Sequence, residues 1–326
     1  MGARDIAPRT ADGADAGTGR WDSAYHAPVL VDEVLTLLSG ARRVLDGTLG
    51  GGGHSEALLS RGVSVTGIDR DPVALREAGE RLAAFEREGR FRALEGNYAD
   101  PTAIDAIAGE RFDGILLDLG VSSRQLDDES RGFSFRPGAP LDMRMGRDAG
   151  VDARELLASA AESELARIFR EWADEPRANR LAREIARRRA TRPFETSDDL
   201  VNAIRAVLGP RAGASDFARL FQGVRIAVND ELRDLERALP ALRDRLEPGG
   251  VLAVIAYHSG EDRLVKNAFR EWSTDCVCPP RQPVCTCRGT ALGELLTRKA
   301  ITAGDAETAR NPRARSARLR GYRHGG

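Results

Sequence analysis

A run of glycines and three aspartates are the residues of this chain best placed to do chemistry. Asp46-Gly-Thr-Leu-Gly-Gly-Gly-Gly-His54 follows a short apolar run, and Asp69 and Asp118 close two further runs of the same kind. Glycines in that position let the backbone approach a ligand closely and take positive φ. Two phosphate-binding patterns fail on spacing. A P-loop needs Gly-Lys-Ser/Thr, and none follows. The dinucleotide pattern G-x-G-x-x-G/A ends on Ser55 when started at Gly50 and on Glu56 when started at Gly51. S-adenosylmethionine, which carries no phosphate and needs backbone contact to its amino-acid and ribose parts, is an alternative ligand. A tight strand-to-helix turn with no ligand is the simpler alternative.

Asp69 lies 16 residues after Gly53, where a carboxylate at a strand end can accept both ribose hydroxyls of an adenosyl ligand. It can equally cap the helix opened by Pro72, and Asp69 and Asp71 can divide the two jobs. Tyr98, in Gly96-Asn-Tyr98, is placed either against an adenine or on the surface of a loop. Ligands of open α/β sheets bind at the carboxyl ends of the strands. Asp46, Asp69 and Asp118 all end strands, so three carboxylates are expected on one edge.

The elements that must position these groups alternate. Strands are expected at 43–46, 63–68, 91–94 and 114–117, with helices between, and the first helix is opened by Pro28 with Leu30, Val34, Leu37 and Leu38 as its buried stripe. Such alternation means a parallel sheet with helices on both faces. It stops after Arg131-Gly-Phe-Ser-Phe-Arg136. Three amphipathic helices follow, carrying Leu165, Ile168, Phe169 and Trp172, then Leu181, Ala182, Ile185 and Ala186, then Leu200, Ile204, Val207 and Leu208 behind a Thr196 or Ser197 cap. Residues 127–214 are therefore expected to be a helical insertion in a sheet domain made of 23–126 and 215–326. A helix from Phe217 is expected to break at Pro240, a strand to run over 251–257, and 295–301 and 316–322 to supply two last strands. Residues 1–22 have no apolar periodicity and are expected to be a disordered leader.

Composition narrows the class. The 326 residues are 41% hydrophobic and 30% charged with a net charge of −1, as in a globular domain. No apolar run reaches the roughly 20 residues of a membrane span, and no signal-peptide pattern opens the chain, so the cytoplasm is the expected location and no membrane partner is expected. The neutral total hides structure. Residues 167–192 hold nine arginines against four acids, net +5, and residues 281–326 hold ten basic residues against three acids, net +7. Arg180, Arg183 and Arg187 recur at steps of three and four, which describes either a phosphate-binding face or a solvated helix. Of 49 basic residues only Lys266 and Lys299 are lysine; guanidinium forks suit RNA, and genome base composition produces the same bias. Cys276, Cys278, Cys285 and Cys287 sit in Cys-Val-Cys-Pro-Pro-Arg-Gln-Pro-Val-Cys-Thr-Cys. A metal site is expected ahead of a disulfide framework here, but the spacing departs from the usual zinc pairs, so reduced thiols in a loop are expected, with metal binding as the alternative, and no metal is assigned.

A longer set of motifs resembles one family. His26-Ala-Pro-Val-Leu30, Asp46-Gly-Thr-Leu-Gly50 with Gly52-Gly-His-Ser55, Asp69-Arg-Asp-Pro72, Leu117-Asp-Leu-Gly-Val-Ser-Ser123, Arg131-Gly-Phe-Ser-Phe135 and Leu141-Asp-Met-Arg-Met145 appear in order. Phe221-Gln222, Arg225-Ile-Ala-Val-Asn-Asp-Glu-Leu232, His258-Ser259, Glu261-Asp-Arg263 and Asn311-Pro-Arg-Ala-Arg-Ser316 follow. Over residues 25–320 the chain resembles the bacterial 16S ribosomal RNA (cytosine-N4)-methyltransferases. The resemblance implies a class I methyltransferase, Rossmann-like with a mostly parallel seven-stranded sheet and a helical insertion. It implies S-adenosylmethionine as methyl donor, with Gly52, Gly53, His54, Asp69, Tyr98, Asp118 and Gln125 as cofactor contacts. It implies a cytidine in the decoding region of 16S rRNA, within the small ribosomal subunit, as acceptor. Three departures stand out: Gly223 where alanine is common, Ala256-Tyr257 for Ser-Phe, and Gly260 for leucine.

The chemistry assigns roles beside this. The N4 amine of cytosine is a poor nucleophile, so methylation needs alignment, an acceptor for the amine hydrogens, and loss of a proton. Asp118 is the catalytic candidate, with cofactor contact as its other reading; His258 and Asn229 are further candidates. Phe133, Phe135 and Arg136 either hold a flipped base or belong to a core. A nicotinamide oxidoreductase would share the sheet and Asp69, and a non-enzymatic RNA-binding protein would share the basic helix.

Overall fold

The computed structural model describes residues 28–325 apart from 147, 280, 281, 283 and 285. The expected leader at 1–22, His26, Ala27 and Cys285 lie outside the described residues. The chain runs α1 (Val31–Leu37), β1 (Arg43–Asp46), α2 (Gly53–Leu59), β2 (Ser64–Asp69), α3 (Pro72–Arg87) and β3 (Phe91–Glu95). Next come α4 (Pro101–Ala106), β4 (Phe112–Asp118) and α5 (Ser123–Asp127). Four helices follow: α6 (Ala153–Ser159), α7 (Glu162–Glu171), α8 (Ala178–Arg189) and α9 (Ser197–Leu208). Then α10 (Ala214–Asn229) and α11 (Glu231–Arg243) lead back to β5 (Leu246–Ala256), α12 (Ser259–Trp272), β6 (Gly293–Leu295), α13 (Asp305–Arg310) and β7 (Arg318–His324).

The strands form one sheet in the order β3-β2-β1-β4-β5-β7-β6. The first five are mutually parallel, while β7 is antiparallel to both β5 and β6. The order reverses between β1 and β4, which opens a crevice at the carboxyl ends there. One hydrophobic cluster, built on Val44, Leu58, Leu82 and Leu319, lies on one face of the sheet; another, built on Leu45, Ile115, Leu239 and Phe269, lies on the other. Near-continuous apolar strands such as Ile115-Leu-Leu117 are what a sheet covered on both faces requires.

A third cluster belongs to the helices. Phe169, Leu181, Ile185, Leu200 and Ile204 pack with Phe217, Leu220, Phe221 and Val224 of α10. The helix starts follow local chemistry: Asp71 caps α3 by accepting from Val73 N at 2.9 Å, and Thr196 forms a capping box with Asp199 at α9. Gly223 lets α10 approach residue 173, since an added Cβ would lie 3.0 Å from the Ala173 Cβ.

Several boundaries differ from expectation. The helix at 31 starts after Leu30, which takes φ 57°, and Pro28 instead packs on Gly53, where an added Cβ would fall 2.8 Å from its Cγ. The break after α10 falls at Asp230 (φ 51°), not at Pro240, which is carried inside α11. Asn229-Asp230 was the available signal, since both residue types tolerate the left-handed region. Strand β5 begins at Leu246 and passes through Pro248-Gly-Gly250 with a register irregularity against Phe112 and Gly114. Only 293–295 of the first tail segment is strand, and Ile301 contributes a single bridge to Leu319.

Candidate active site

The carboxyl ends of β1, β2, β3, β4 and β5 surround a cleft, in the crevice where ligands of open α/β sheets bind. Its floor is the glycine loop. Gly47 is required by close approach, because a Cβ there would lie 2.6 Å from Leu117 Cδ2. Gly50 and Gly52 take φ 51° and 77°, which side chains resist. Gly53 and His54 line the cleft; Gly52 does not, and acts as the left-handed cap of α2 facing Leu82.

Of the three strand-end carboxylates, two face the cleft. Asp46 turns away: it accepts from Ser55 Oγ at 2.7 Å and Thr48 N at 3.2 Å, and holds the loop together. Burial raises the pKa of its carboxyl, against the pull of the Ser55 hydroxyl. Asp69 lines the cleft with Oδ2 accepting from Gly50 N at 2.7 Å and Oδ1 from Asp71 N at 2.8 Å. Each oxygen keeps a second lone pair. Asp71 takes the structural job, capping α3 while its Oδ2 accepts from Gln125 Nε2 at 2.9 Å and Arg131 Nη1 at 3.1 Å. Burial pushes the Asp69 carboxyl up to about 6.

Asp118 stands on the opposite wall. Its Oδ1 accepts from the Tyr257 hydroxyl at 2.9 Å, and its Oδ2 lies 3.6 Å from His54 Nδ1. His54 Nε2 is 2.9 Å from the Val29 carbonyl; that contact requires the hydrogen on Nε2. Burial and the Asp118 charge hold the Tyr257 phenol well above the usual tyrosine range, so it is a permanent donor. Tyr98 lines the same cleft beside Asn97, its phenol likewise raised by burial and then by Asp234 and Glu261.

The other candidates are occupied elsewhere. His258 caps α12, Nδ1 accepting from Gly260 N at 3.2 Å and Glu261 N at 3.4 Å, with Nε2 3.1 Å from Glu261 Oε1. Asn229 is buried and bonds Met145 N at 2.8 Å, Met143 O at 2.7 Å and Arg225 O at 3.0 Å, so it clamps the 143–145 segment. Phe133 is in the helical core and Phe135 packs against Phe217 and Phe221, which removes both from base stacking; Arg136 pairs with Glu129 at 2.9 Å. Gln125 lines the cleft, with Nε2 donating to Asp71 at 2.9 Å and Oε1 accepting from Ser122 N at 3.0 Å.

Sequence reasoning missed Tyr257, Glu231, Asp234 and Glu261, all of which line the cleft. Glu231 is held by Arg225 through two 2.8 Å contacts. Asp234 accepts from the Asn97 amide and from Arg237 at 2.6 Å. Burial raises the Glu261 carboxyl, but His258, Arg225 and the Tyr257 amide together outweigh it and hold it low. Tyr257 had a signal, being a departure from the family pattern. Glu231 and Glu261 lie in two of the motifs quoted above; Asp234 had no signal, since α11 reaches the cleft only through the fold.

The tail is less free than its charge suggests. Arg320 is buried and forks onto Asp262 at 2.7 and 3.2 Å, Arg318 joins it at 3.2 Å, and Arg323 pairs with Glu294. On α8, Arg180, Arg183 and Arg187 are exposed opposite buried Leu181, Ala182 and Ile185, although Arg187 forks onto Glu184 at 2.9 and 2.8 Å and Arg183 lies 3.8 Å from Glu162. No helix among the described residues is long and apolar enough to cross a membrane.

An adenosyl ligand with a sulfonium centre fits this donor set: glycine backbone, a strand-end carboxylate with spare lone pairs, and five carboxylates around one arginine, Arg70. Strand order, reversed last strand and crevice together define a class I methyltransferase. Residues 23–324 match the MraW methylase family, and the chain belongs to it. Its methyl donor is S-adenosylmethionine. The chain is 66% identical to "Ribosomal RNA small subunit methyltransferase H" of Gemmatimonas aurantiaca, over 94% of this chain and 98% of that protein. It is 47% identical to the protein of the same name from Heliobacterium modesticaldum, over 91% and 97%.

Proposed function

We propose that this protein methylates the exocyclic N4 amine of a cytidine in the decoding region, at the P site, of 16S rRNA within the small ribosomal subunit. Methylation of small-subunit rRNA is the activity in the names of its relatives. The observation that carries the amine reading is Asp118: a carboxylate on the cleft wall, oriented by the Tyr257 hydroxyl, where an amine hydrogen needs an acceptor.

S-adenosylmethionine supplies an electrophilic methyl group when bound. Asp69 accepts the ribose hydroxyls, the Gly47–Gly53 backbone lies along the amino-acid part, and Tyr98 flanks the adenine. Asp118 accepts one N4 hydrogen and draws electron density onto the nitrogen. Asp118 would take up the surplus proton that N4 loses on methylation and pass it to solvent. His54, hydrogen-bonded to Val29 through Nε2, packs its ring beside the carboxylate. The 127–214 insertion presents the α8 arginines to RNA phosphates.

The test supplies methyl-labelled donor and small subunits from cells lacking the modification, then digests the RNA to nucleosides. N4-methylcytidine is expected; label in any other nucleoside overturns the reading. Changing Arg180, Arg183 and Arg187 together to alanine is expected to raise KM for the subunit about tenfold, leave cofactor affinity unchanged, and flatten the slope of log affinity against log salt by about 2. An unchanged salt slope would place the RNA on another face.

A further inference from the structure

The cysteine-bearing loop between α12 and β6 takes no part in the chemistry above. We propose that Cys276, Cys278 and Cys287 form a thiolate site for one zinc ion that staples this loop. Their sulfurs lie within 4.8 Å of one another, and Cys276 and Cys287 are 3.8 Å apart. A tetrahedral zinc ion with bonds of about 2.3 Å sets its sulfurs about 3.8 Å apart, so the Cys276–Cys287 pair already has the edge length of that shell, and Cys278 lies within an ångström of it.

The backbone around the sulfurs is arranged for thiolates. Val277 N donates to Cys287 Sγ and Thr286 N to Cys278 Sγ, both at 3.4 Å. Each half of the motif thus hydrogen-bonds a sulfur of the other half, as outer-shell donors do around metal ligands. The spacing that looked wrong in sequence is resolved by this crossing: the pairs come from two strands of one loop, not from consecutive knuckles.

The loop needs such a staple. From Ser273 to Leu292 no described residue is in helix or strand, and Val277 and Val284 are the exposed large hydrophobic residues of the described chain, at 41% and 71%. Loops longer than about 12–15 residues without secondary structure are uncommon in compact domains. Arg288 ties the base of the loop to the Glu271 and Thr274 carbonyls, and Ala291 N donates to Asp275 at 3.1 Å, while Val277 and Val284, the large hydrophobic residues among its described ones, stay exposed. Three thiols give up their protons on binding, and three thiolates leave one position of the tetrahedron for a further ligand.

The role is structural. Helix α12 has 14 residues, about 21 Å of rise, and its other end carries His258 beside the cleft. Full-length protein reloaded with zinc under a phosphine reductant and then desalted is expected to retain about one zinc per chain. Cobalt in its place should give the intense sulfur-to-cobalt charge-transfer band of a thiolate site. Cys276→Ser/Cys278→Ser is expected to lower retained metal more than about tenfold, to speed proteolysis within 273–292, and to leave cofactor affinity unchanged. Less than about a tenth of an equivalent in the reloaded wild type, or a Cys276–Cys287 disulfide in the purified chain, overturns the proposal. Should the double variant fail to fold, the cobalt band of the wild type and its loss to chelator, with far-UV circular dichroism retained, read the same site on the intact chain.

Discussion

Asp118→Asn is expected to lower kcat for methyl transfer about a hundredfold to a thousandfold while changing cofactor Kd by less than about threefold. The amide keeps the shape and one acceptor oxygen but loses the charge that polarises the amine and receives its proton, and positioned acid–base groups contribute about 10²–10⁴. The surroundings make the separation readable. Tyr257 donates to Oδ1 and His54 faces Oδ2, so the side chain is held whether or not it is charged. Tyr257→Phe removes one bond to a charged acceptor; because phenylalanine is the common residue of the family pattern, its cost should stay within about tenfold. The double variant should be no slower than Asp118→Asn alone, since the tyrosine acts through the carboxylate. Additive losses would mean that Tyr257 touches substrate itself. A Kd that rises as steeply as kcat falls would assign Asp118 to the cofactor.

Asp69→Ala is expected to weaken S-adenosylmethionine by about a hundredfold, the loss of two hydroxyl bonds to a charged acceptor at about 1.5 kcal/mol each or more. Alanine also strips the Gly50 and Asp71 amides of their acceptor, so Asp69→Asn, which keeps one oxygen, separates ligand contact from loop support. The pH dependence distinguishes them further. Burial raises this carboxyl to about 6 from 3.8, so in the ligand-free protein its contribution to stability is full below about 3.8 and is lost as pH rises through about 6. Ribose hydroxyls donate to the ionised form and draw the pKa down on binding. Cofactor Kd should therefore be flat above pH ~7 and rise on the order of tenfold per unit below ~6, with proton release in calorimetry near that pH. Asp69→Asn should abolish the slope. A wild-type Kd flat down to pH ~5 would mean the ribose lies elsewhere.

The sheet was legible because its strands are short, nearly continuous apolar runs punctuated by Asp46, Asp69 and Asp118, and because glycine has few reasons to cluster between a strand and a helix. The insertion helices were legible because their apolar steps and the Thr196 cap are local. The break at Asp230 was misread because Pro240 looked the stronger signal, yet a proline near a helix end is tolerated while a left-handed residue redirects the chain.

What the sequence determined by itself is what short-range chemistry determines: the alternating elements, the glycine floor, the strand-end carboxylates, and a family legible from ordered motifs. Tertiary structure alone decided how the acids divide their work. Asp46 and Asp69 are alike in sequence, both strand-end aspartates that open a turn into a helix, but Ser55 draws one inward while the other faces the cleft. Tyr257, Glu231, Asp234 and Glu261 reach Asp69 and Asp118 from more than a hundred positions away because β4 and β5 are neighbours and α11 and α12 flank the crevice. Hydrogen-bond partners at that separation are fixed by packing, and no local pattern encodes which of two equivalent carboxylates will be left facing the ligand.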